Sequence, residues 1–168
     1  RASPLIRLSE PANLRITLGR GYSAPTVFTE ETEEVDLRNV HPLSDVSAER
    51  ITIASADLSW NVSPYEANVS VFGANIDDAV EAIERAGRLE LVNIPGQTRT
   101  RGVEMLLRYR AEPFVVMTSY SHIRARRADG SRVPLVPRHS ASAVAMIEDH
   151  DRGRIGLELY YTGTLPLD

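Results

Sequence analysis

The sequence predicts an all-β protein, an up-and-down antiparallel meander of about seven strands that carries a short helix in one long loop. Apolar and polar residues alternate at period two in segments along most of the chain, as expected when one face of a sheet is apolar. The connections alternate between short turns and long loops, which indicates strands that run up and down in sequence. No apolar stretch approaches the ~20 residues of a transmembrane helix.

Four predicted strands have apolar residues at every second position. They cover residues 14–18, 66–71, 103–109 and 155–161. Three more segments alternate less regularly and are predicted as strands as well. They cover residues 51–60, 114–123 and 138–148.

The connections predict which strand ends lie together. The short turns cover residues 61–65, 111–113 and 149–153, whereas the long loops cover residues 23–48, 77–92 and 125–137. In a sequential meander all the short turns then lie at one end of the sheet and all the long loops at the other. Outer-membrane barrels have this arrangement, with short periplasmic turns and long extracellular loops.

The second long loop contains a segment with the features of a short helix. Asp77 is suited to the N-cap, Gly87 to the position after the last turn, and good helix formers lie between them. The apolar stripe of Val80 and Ile83 is too narrow for a helix that packs in a core. We therefore predict a short helix within the loop.

The predicted sheet has two unlike faces. Its apolar face is expected to carry strand-centre residues such as Val69, Met105 and Leu157, with tyrosines and Trp60 near the strand ends. Polar residues such as Glu104 lie on the opposite face. This pattern fits a transmembrane barrel wall, and a half-exposed soluble sheet would alternate in the same way. Several small alanines on the strands are poor filling for a compact core and favour the membrane alternative.

The composition excludes several classes of function. A net charge of −4 argues against nucleic-acid binding. Without cysteine there is no disulfide, thiolate metal site or cysteine nucleophile. No histidine pair has metal-ligand spacing, and no catalytic motif occurs. We predict that the chain is not an enzyme and has no cofactor and no metal site.

Two groups of charged residues in the long loops are candidates for ligand binding. Arg124, Arg126 and Arg127 lie at the start of the third long loop and suit an anion, such as an anionic ligand or a lipopolysaccharide phosphate. Glu33 and Glu34 belong to an acidic run in the first long loop and suit a divalent cation. The simpler alternative for both groups is a solvated loop.

Six short motifs follow one another along the chain. They are Gly21-Tyr-Ser-Ala-Pro25, Val71-Phe-Gly-Ala-Asn-Ile-Asp-Asp78, Asn93-Ile-Pro-Gly96, Arg101-Gly-Val-Glu104, Val133-Pro-Leu-Val-Pro-Arg-His139 and Tyr161-Thr-Gly163. Their order and spacing resemble the TonB-dependent receptors of Gram-negative outer membranes. The family's G-[FY]-[KR]-A-P, F-x-x-x-I-D-D and G-V-E elements are similar to the first, second and fourth motifs. Ser23 departs from the family, which usually has Lys or Arg there.

The resemblance implies a fold and a function. Such receptors are plugged barrels of about 22 strands, so residues 1–168 are expected to be part of the C-terminal half of the barrel, without the plug and without the terminal strand. The family implies TonB-driven uptake of a scarce nutrient, such as a ferric siderophore, cobalamin or an oligosaccharide, across the outer membrane of a Gram-negative bacterium. The expected partners are outer-membrane lipid and a small nutrient bound through the long loops, whereas TonB meets only the plug.

One alternative remains from the residues alone. A soluble β-sandwich or a lipocalin-like binding module would use the same meander. It would bury its apolar face in a closed core, whereas a transporter wall would expose that face as a continuous band.

Overall fold

The computed structural model describes residues 1–26, 40, 45–149 and 153–165, and all of its regular elements are β-strands. The part of the chain so described contains no helix long and apolar enough to cross a membrane. The strands are β1 (Leu5–Arg7), β2 (Ala12–Ser23), β3 (Glu49–Val62), β4 (Tyr65–Asp77), β5 (Val80–Arg85), β6 (Arg88–Asn93), β7 (Gln97–Ala111), β8 (Phe114–Arg126), β9 (His139–Asp149) and β10 (Gly153–Thr162).

Eight strands form one antiparallel sheet in the order β1-β2-β3-β4-β7-β8-β9-β10. Strands β5 and β6 form a separate two-stranded sheet. The predicted sequential meander is therefore confirmed, and all seven predicted strands are present. The structure adds the three-residue β1 at one edge.

Two of the predicted short turns connect neighbouring strands with two residues each. Ser63 and Pro64 join β3 to β4, and Glu112 and Pro113 join β7 to β8. In each turn the proline carbonyl accepts a backbone hydrogen bond from the strand beside it, from Arg110 N at 2.9 Å and from Glu148 N at 2.7 Å. Proline suits these positions because its missing N–H takes no donor from the sheet. The third predicted turn lies partly outside the described residues.

The register confirms that the sheet has two unlike faces. Directly opposed residues share a face, and rows such as Leu58, Val69, Met105 run across neighbouring strands on the apolar side. Rows of polar residues run on the other side, one of which contains Asp57, Ser70 and Glu104. We call these sides the apolar face and the polar face.

The apolar face is exposed. Met105, Leu107 and Leu157 retain 47%, 48% and 63% of their accessible surface. Among the described residues, Leu91 and Val115 are the only hydrophobic residues that are buried. A soluble module of this size would need a closed core, so the exposed band disfavours the soluble alternative.

The short helix predicted for residues 77–87 is wrong. This segment contributes the last residue of β4 and most of the β5–β6 hairpin. Its turn places Ala86 at φ 52° and Gly87 at φ 76°, and two successive positive φ angles are typical of the type I′ turn that fits a two-residue hairpin. The hairpin forms because β6 supplies a partner with its own alternating sequence, Arg88–Asn93, which overrides the local helix propensity.

Candidate functional site: the long-loop end of the sheet

Polar side chains fix the base of the β5–β6 hairpin to the start of β3 and to the residues just before β3 and just after β4. The Asn93 side chain accepts a hydrogen bond from Ser47 N at 2.6 Å and donates to Ser47 O at 3.0 Å and to Asp78 O at 2.7 Å. The Glu49 carboxylate accepts a bond from Val80 N at 2.7 Å. These side chains hold the hairpin at both residues of its base, Val80 and Asn93. We call the four hydrogen bonds the hairpin clamp.

Two of the motifs that carry the family resemblance meet across the sheet. Phe72 on β4 is directly opposite Gly102 on β7, on the polar face. A Cβ atom at Gly102 would lie 2.4 Å from Cζ of the Phe72 ring, so the ring occupies the space that only glycine leaves. Asp77, from the same motif as Phe72, accepts a hydrogen bond from Gln97 Nε2 at 2.9 Å.

Four arginines lie at the long-loop end of β7 and β8, on the same side of the sheet as the apolar residues. Arg101 is directly opposite Arg124, and Arg99 is directly opposite Arg126. On β7, Arg101 and Arg99 are the next two residues on this side of the sheet after Val103, which is the last apolar residue there. We call the four arginines the arginine quartet. With Gln97, Arg127, Ala128 and Gly130 they line an open depression of about 510 Å³.

The arginines at the other end of β7 have carboxylate partners. Arg108 lies 3.5 Å from Glu66 and Arg110 lies 3.8 Å from Glu148. Within residues 1–26, 40, 45–149 and 153–165, no member of the quartet has a carboxylate within 4.0 Å. Directly opposed like charges are destabilising in a sheet, so the quartet concentrates positive charge that this part of the chain does not neutralise.

Hydrogen bonds orient three of the quartet guanidinium groups. Arg126 Nη1 donates to the carbonyl oxygen of Gly130 at 3.4 Å, and the other two groups are held through Nε. Arg124 Nε donates to His122 Nε2 at 3.2 Å, and Arg99 Nε donates to Gln97 Oε1 at 2.9 Å. In both residues the terminal amino groups make no other hydrogen bond to the described residues. These two side chains are therefore held through Nε, and their Nη groups are available to an anion.

Positive charge is concentrated beyond the quartet too. The charge of Arg132, together with partial burial and the charges of Arg124 and Arg126, lowers the pKa of Arg138, which immediately precedes β9. Arg132 itself pairs through its backbone with Arg126. The long-loop end of β8 and β9 is therefore strongly electropositive although the chain as a whole has a net charge of −4.

Arg127 has a different environment from its neighbours. Its Nη2 lies 2.7 Å from Oε1 of Glu81, so it connects the third long loop to the β5–β6 hairpin. The loop turns back sharply after it, and Asp129 accepts hydrogen bonds from both the hydroxyl and the backbone N–H of Ser131. These bonds lower the pKa of the Asp129 carboxyl, so this carboxyl is ionised at neutral pH.

The predicted arginines Arg124, Arg126 and Arg127 line the same depression but have different partners. Arg124 and Arg126 lie together in the quartet, whereas Arg127 is held in an ion pair with Glu81. Glu33 and Glu34 lie outside the described residues.

Sequence reasoning missed the other half of the quartet. Arg99 and Arg101 precede the G-V-E element, and their alternation with threonine at the parity of Val103 could have placed them on the apolar side.

The polar face carries short hydrogen-bonded pairs. The Asp57 carboxylate accepts bonds from Ser70 Oγ at 2.7 Å and Ser55 Oγ at 3.1 Å, and the hydroxyl groups of Ser119 and Ser142 lie 2.7 Å apart. No cluster of three or more His, Asp or Glu side chains suited to a metal ion occurs among the described residues. These hydroxyl and carboxyl groups make this part of the face hydrophilic.

Comparison with known families identifies the architecture. The family described as TonB dependent receptor-like, beta-barrel matches residues 5–165. The chain belongs to this family. Membership implies the outer membrane of a Gram-negative bacterium, and it agrees with the sequential sheet and its exposed apolar face. No curated protein sequence matches the chain.

Solved structures of TonB-dependent receptors have the same fold over this region. The FrpB iron transporter from Neisseria meningitidis is 18% identical with a TM-score of 0.72, over 94% of this chain and 25% of FrpB. The ferric-catecholate import receptor Fiu from E. coli K12 is 18% identical, TM-score 0.67, over 95% of this chain and 23% of Fiu. The hemophore receptor HasR from Serratia marcescens is 15% identical with a TM-score of 0.69, over 94% of this chain and 30% of HasR. The chain therefore spans less than a third of these receptors.

Proposed function

We propose that this chain forms part of the wall and the extracellular loops of a TonB-dependent outer-membrane transporter that takes up an iron-bearing nutrient such as a ferric siderophore. The observation that carries the proposal is the two-faced sheet. Its exposed apolar face suits lipid, and its hydroxyl-rich polar face suits a hydrated barrel interior. The family and the iron-related titles of the similar structures favour this class of cargo.

The proposal assigns a direction to the sheet. The two-residue turns at Ser63 and Glu112 face the periplasm, and the β5–β6 hairpin and the loop around Ala128 face the exterior. Nutrient then contacts the chain through its long loops and polar face. TonB acts on the plug of the complete receptor rather than on this segment. Glu33 and Glu34 in the first long loop remain predicted ligand contacts.

Transport is tested by uptake in a host that lacks its own ferric-siderophore receptors. The complete receptor that contains this segment is expressed with and without TonB, and accumulation of radioactive iron is measured from catecholate and hydroxamate siderophores and from heme. We expect TonB-dependent accumulation from at least one siderophore. Accumulation that does not depend on TonB, or none from any iron source, would contradict the proposal.

Direction is tested by cysteine labelling, since this chain has no cysteine of its own. Ala128→Cys and Ser63→Cys place one thiol at each end of the sheet, both at exposed positions. A membrane-impermeant maleimide should label the first variant on intact cells and the second only after the outer membrane is permeabilised. The reverse order of labelling would show that the proposed direction is wrong.

A further inference from the structure

Two histidines meet on the apolar side of the sheet, near its long-loop end. His122 on β8 is directly opposite His139, the first residue of β9, and it is also opposite Val103 on β7. The Nδ1 atoms of the two histidines lie 3.4 Å apart, and their ring centroids lie 4.6 Å apart. The two residues are 17 positions apart in the chain, so the pair arises from strand pairing and not from local spacing.

A tyrosine adds a third potential ligand atom to this pair. Tyr120 is the next residue but one before His122 on β8, so it lies on the same side of the sheet. Its Oη lies 2.8 Å from His139 Nδ1. The Tyr120 oxygen and the His122 Nδ1 atom therefore both approach the same nitrogen of His139. We call these three side chains the Tyr-His-His cluster.

Hydrogen bonding alone does not satisfy the Tyr-His-His cluster. Arg124 Nε donates to His122 Nε2, which leaves the ring proton of a neutral His122 on Nδ1. That proton and the Tyr120 hydroxyl then compete for the single lone pair of His139 Nδ1. The 3.4 Å between the two nitrogens is also longer than the about 2.7–3.2 Å of an ordinary hydrogen bond from N–H. The cluster therefore brings together more groups than its one acceptor can serve.

The separation of the two nitrogens fits a bound metal ion. Zn²⁺ binds imidazole nitrogen at about 2.0–2.1 Å in tetrahedral geometry, which places two nitrogen ligands roughly 3.3–3.4 Å apart. The observed separation of 3.4 Å matches this value. Imidazole suits Zn and Cu ions, whereas Ca²⁺ and Mg²⁺ take oxygen ligands, mainly from carboxylates, carbonyls and water. The cluster therefore has the ligand types and the spacing of a transition-metal site.

We propose that His122, His139 and Tyr120 bind a divalent transition-metal ion, Zn²⁺ or Cu²⁺, through the two Nδ1 atoms and the phenol oxygen. The site has two histidines and a tyrosine, so it differs from the groups of three or more His, Asp or Glu that the described residues lack. It revises the expectation that the chain has no metal site. Because β8 ends at Arg126 and β9 begins at His139, the ion would join the two strands at the base of the third long loop. The inference does not depend on the cargo or on the direction of the sheet.

Arg124 opposes the metal ion and provides a specific test of the ligand atoms. A metal ion at Nδ1 leaves the ring proton of His122 on Nε2, where it meets the Nε–H group of Arg124 and can no longer accept its hydrogen bond. The guanidinium charge also repels the ion. In Arg124→Gln the side-chain oxygen can accept the Nε2 proton, and such outer partners change metal affinity by about 10- to 100-fold. We therefore expect Arg124→Gln to tighten metal binding by roughly 10-fold.

The test titrates the purified complete receptor, without a histidine tag, with Cu²⁺, with Zn²⁺ and with Ca²⁺ as the hard-cation reference. H122Q/H139Q removes both imidazole ligands, and the matched control H41Q/H150Q removes the other two histidines of this chain. Tyr120→Phe keeps the ring and removes only the phenol oxygen. Calorimetry measures affinity, the electron paramagnetic resonance spectrum of Cu²⁺ reports its nitrogen ligands, and visible charge-transfer absorption reports a phenolate ligand.

We expect H122Q/H139Q to weaken Cu²⁺ and Zn²⁺ binding by more than roughly 100-fold, because loss of an outer partner alone costs about 10- to 100-fold. The control should bind both ions as the wild type does, and Ca²⁺ should bind no variant measurably. Tyr120→Phe should lose the charge-transfer band and keep the spectrum of two nitrogen ligands. Equal binding by the wild type and H122Q/H139Q would overturn the inference, as would a Cu²⁺ spectrum of the wild type without two nitrogen ligands.

Folding is checked separately, by heat-modifiable mobility of every variant on gels. Tyr120→Phe and Arg124→Gln alter no imidazole, so they test the site even where the double histidine variant does not fold. Unchanged or weaker metal binding in Arg124→Gln would overturn the assignment of His122 Nδ1 as a ligand. Because none of these measurements uses transport, their outcome is independent of the uptake assay that tests the proposed function.

Discussion

The eight-stranded sheet and the β5–β6 hairpin are held in place by different interactions. The sheet is continuous along long strands, exposes apolar side chains on one face and has almost no buried hydrophobic residue in its described part. The hairpin has six-residue strands and is fixed by the hairpin clamp at Asn93 and Glu49 and by the Arg127–Glu81 ion pair. The stability of the sheet therefore depends on the medium that contacts each face, whereas the position of the hairpin depends on a few local polar contacts.

The largest expected effect separates the two faces of the sheet. Leu106 and Leu107 are neighbours on β7 with nearly equal exposure, 45% and 48%, but they lie on opposite faces. Leu107→Arg should destabilise the complete receptor by about 2–4 kcal/mol in lipid vesicles, since it places a charge in hydrocarbon. Leu106→Arg is the matched control and should cost much less. Urea unfolding of both variants in vesicles measures the difference, and equal destabilisation would show that the faces are not distinct.

A second expected effect concerns packing on the polar face. Gly102→Val should displace the Phe72 ring and lower the free energy of unfolding by about 1–3 kcal/mol, as overpacking does elsewhere. In a Phe72→Ala background the same substitution should cost less, because the space is then empty. A double-mutant cycle from urea unfolding gives the coupling energy. Additive effects of the two substitutions would contradict the close packing of Phe72 on Gly102.

The hairpin should respond locally to loss of its clamp. Asn93→Ala removes three hydrogen bonds and should destabilise the hairpin base by about 1–3 kcal/mol without unfolding the sheet. Trypsin should then cleave faster after Arg85 and Arg88, at the hairpin tip. Asn68→Ala is the control, since Asn68 makes no side-chain hydrogen bond to the described residues. Unchanged cleavage in Asn93→Ala would show that the clamp does not hold the hairpin.

The smallest expected effect is at the hairpin turn. Ala86 has φ 52°, a conformation that costs an L-residue roughly 1–2 kcal/mol and glycine little. Ala86→Gly relieves this strain, and the greater conformational freedom of glycine in the unfolded chain offsets part of the gain. We therefore expect hydrogen exchange of the β5 and β6 amides to slow by a few-fold. Amides of β7 serve as the internal reference. Faster exchange in β5 and β6 would contradict the type I′ turn.

The same contrast explains what could be predicted from the sequence. Alternation predicted the sheet because it is strict on four strands and recognisable on three more. Directly paired residues then keep apolar side chains on one face, as in the row of Leu58, Val69, Met105. The hairpin was missed because residues 77–87 have good helix propensity and were assessed without their partner strand, Arg88–Asn93. Propensity is a weak predictor when a neighbouring strand supplies hydrogen bonds.

Only part of the candidate site could be predicted. Arg124 and Arg126 stood out as a local cluster, whereas Arg99 and Arg101 lie more than 20 positions earlier and become neighbours only through the β7–β8 pairing. The Arg127–Glu81 ion pair depends on the fold in the same way, because it joins two different loops. Contacts between distant segments depend on which residues of neighbouring strands are paired. The alternation within a single strand does not determine that pairing.

The central claim, that the apolar face contacts lipid, is tested most directly by spin labelling along β7. Single cysteines at positions 103–109 each carry a nitroxide in the complete receptor reconstituted in vesicles, and relaxation is measured with oxygen, which concentrates in lipid, and with a water-soluble nickel complex. We predict that oxygen accessibility alternates at period two and is high at Val103, Met105 and Leu107 and low at Glu104, Leu106 and Arg108. Uniform oxygen accessibility along the strand, or the opposite alternation, would contradict the account.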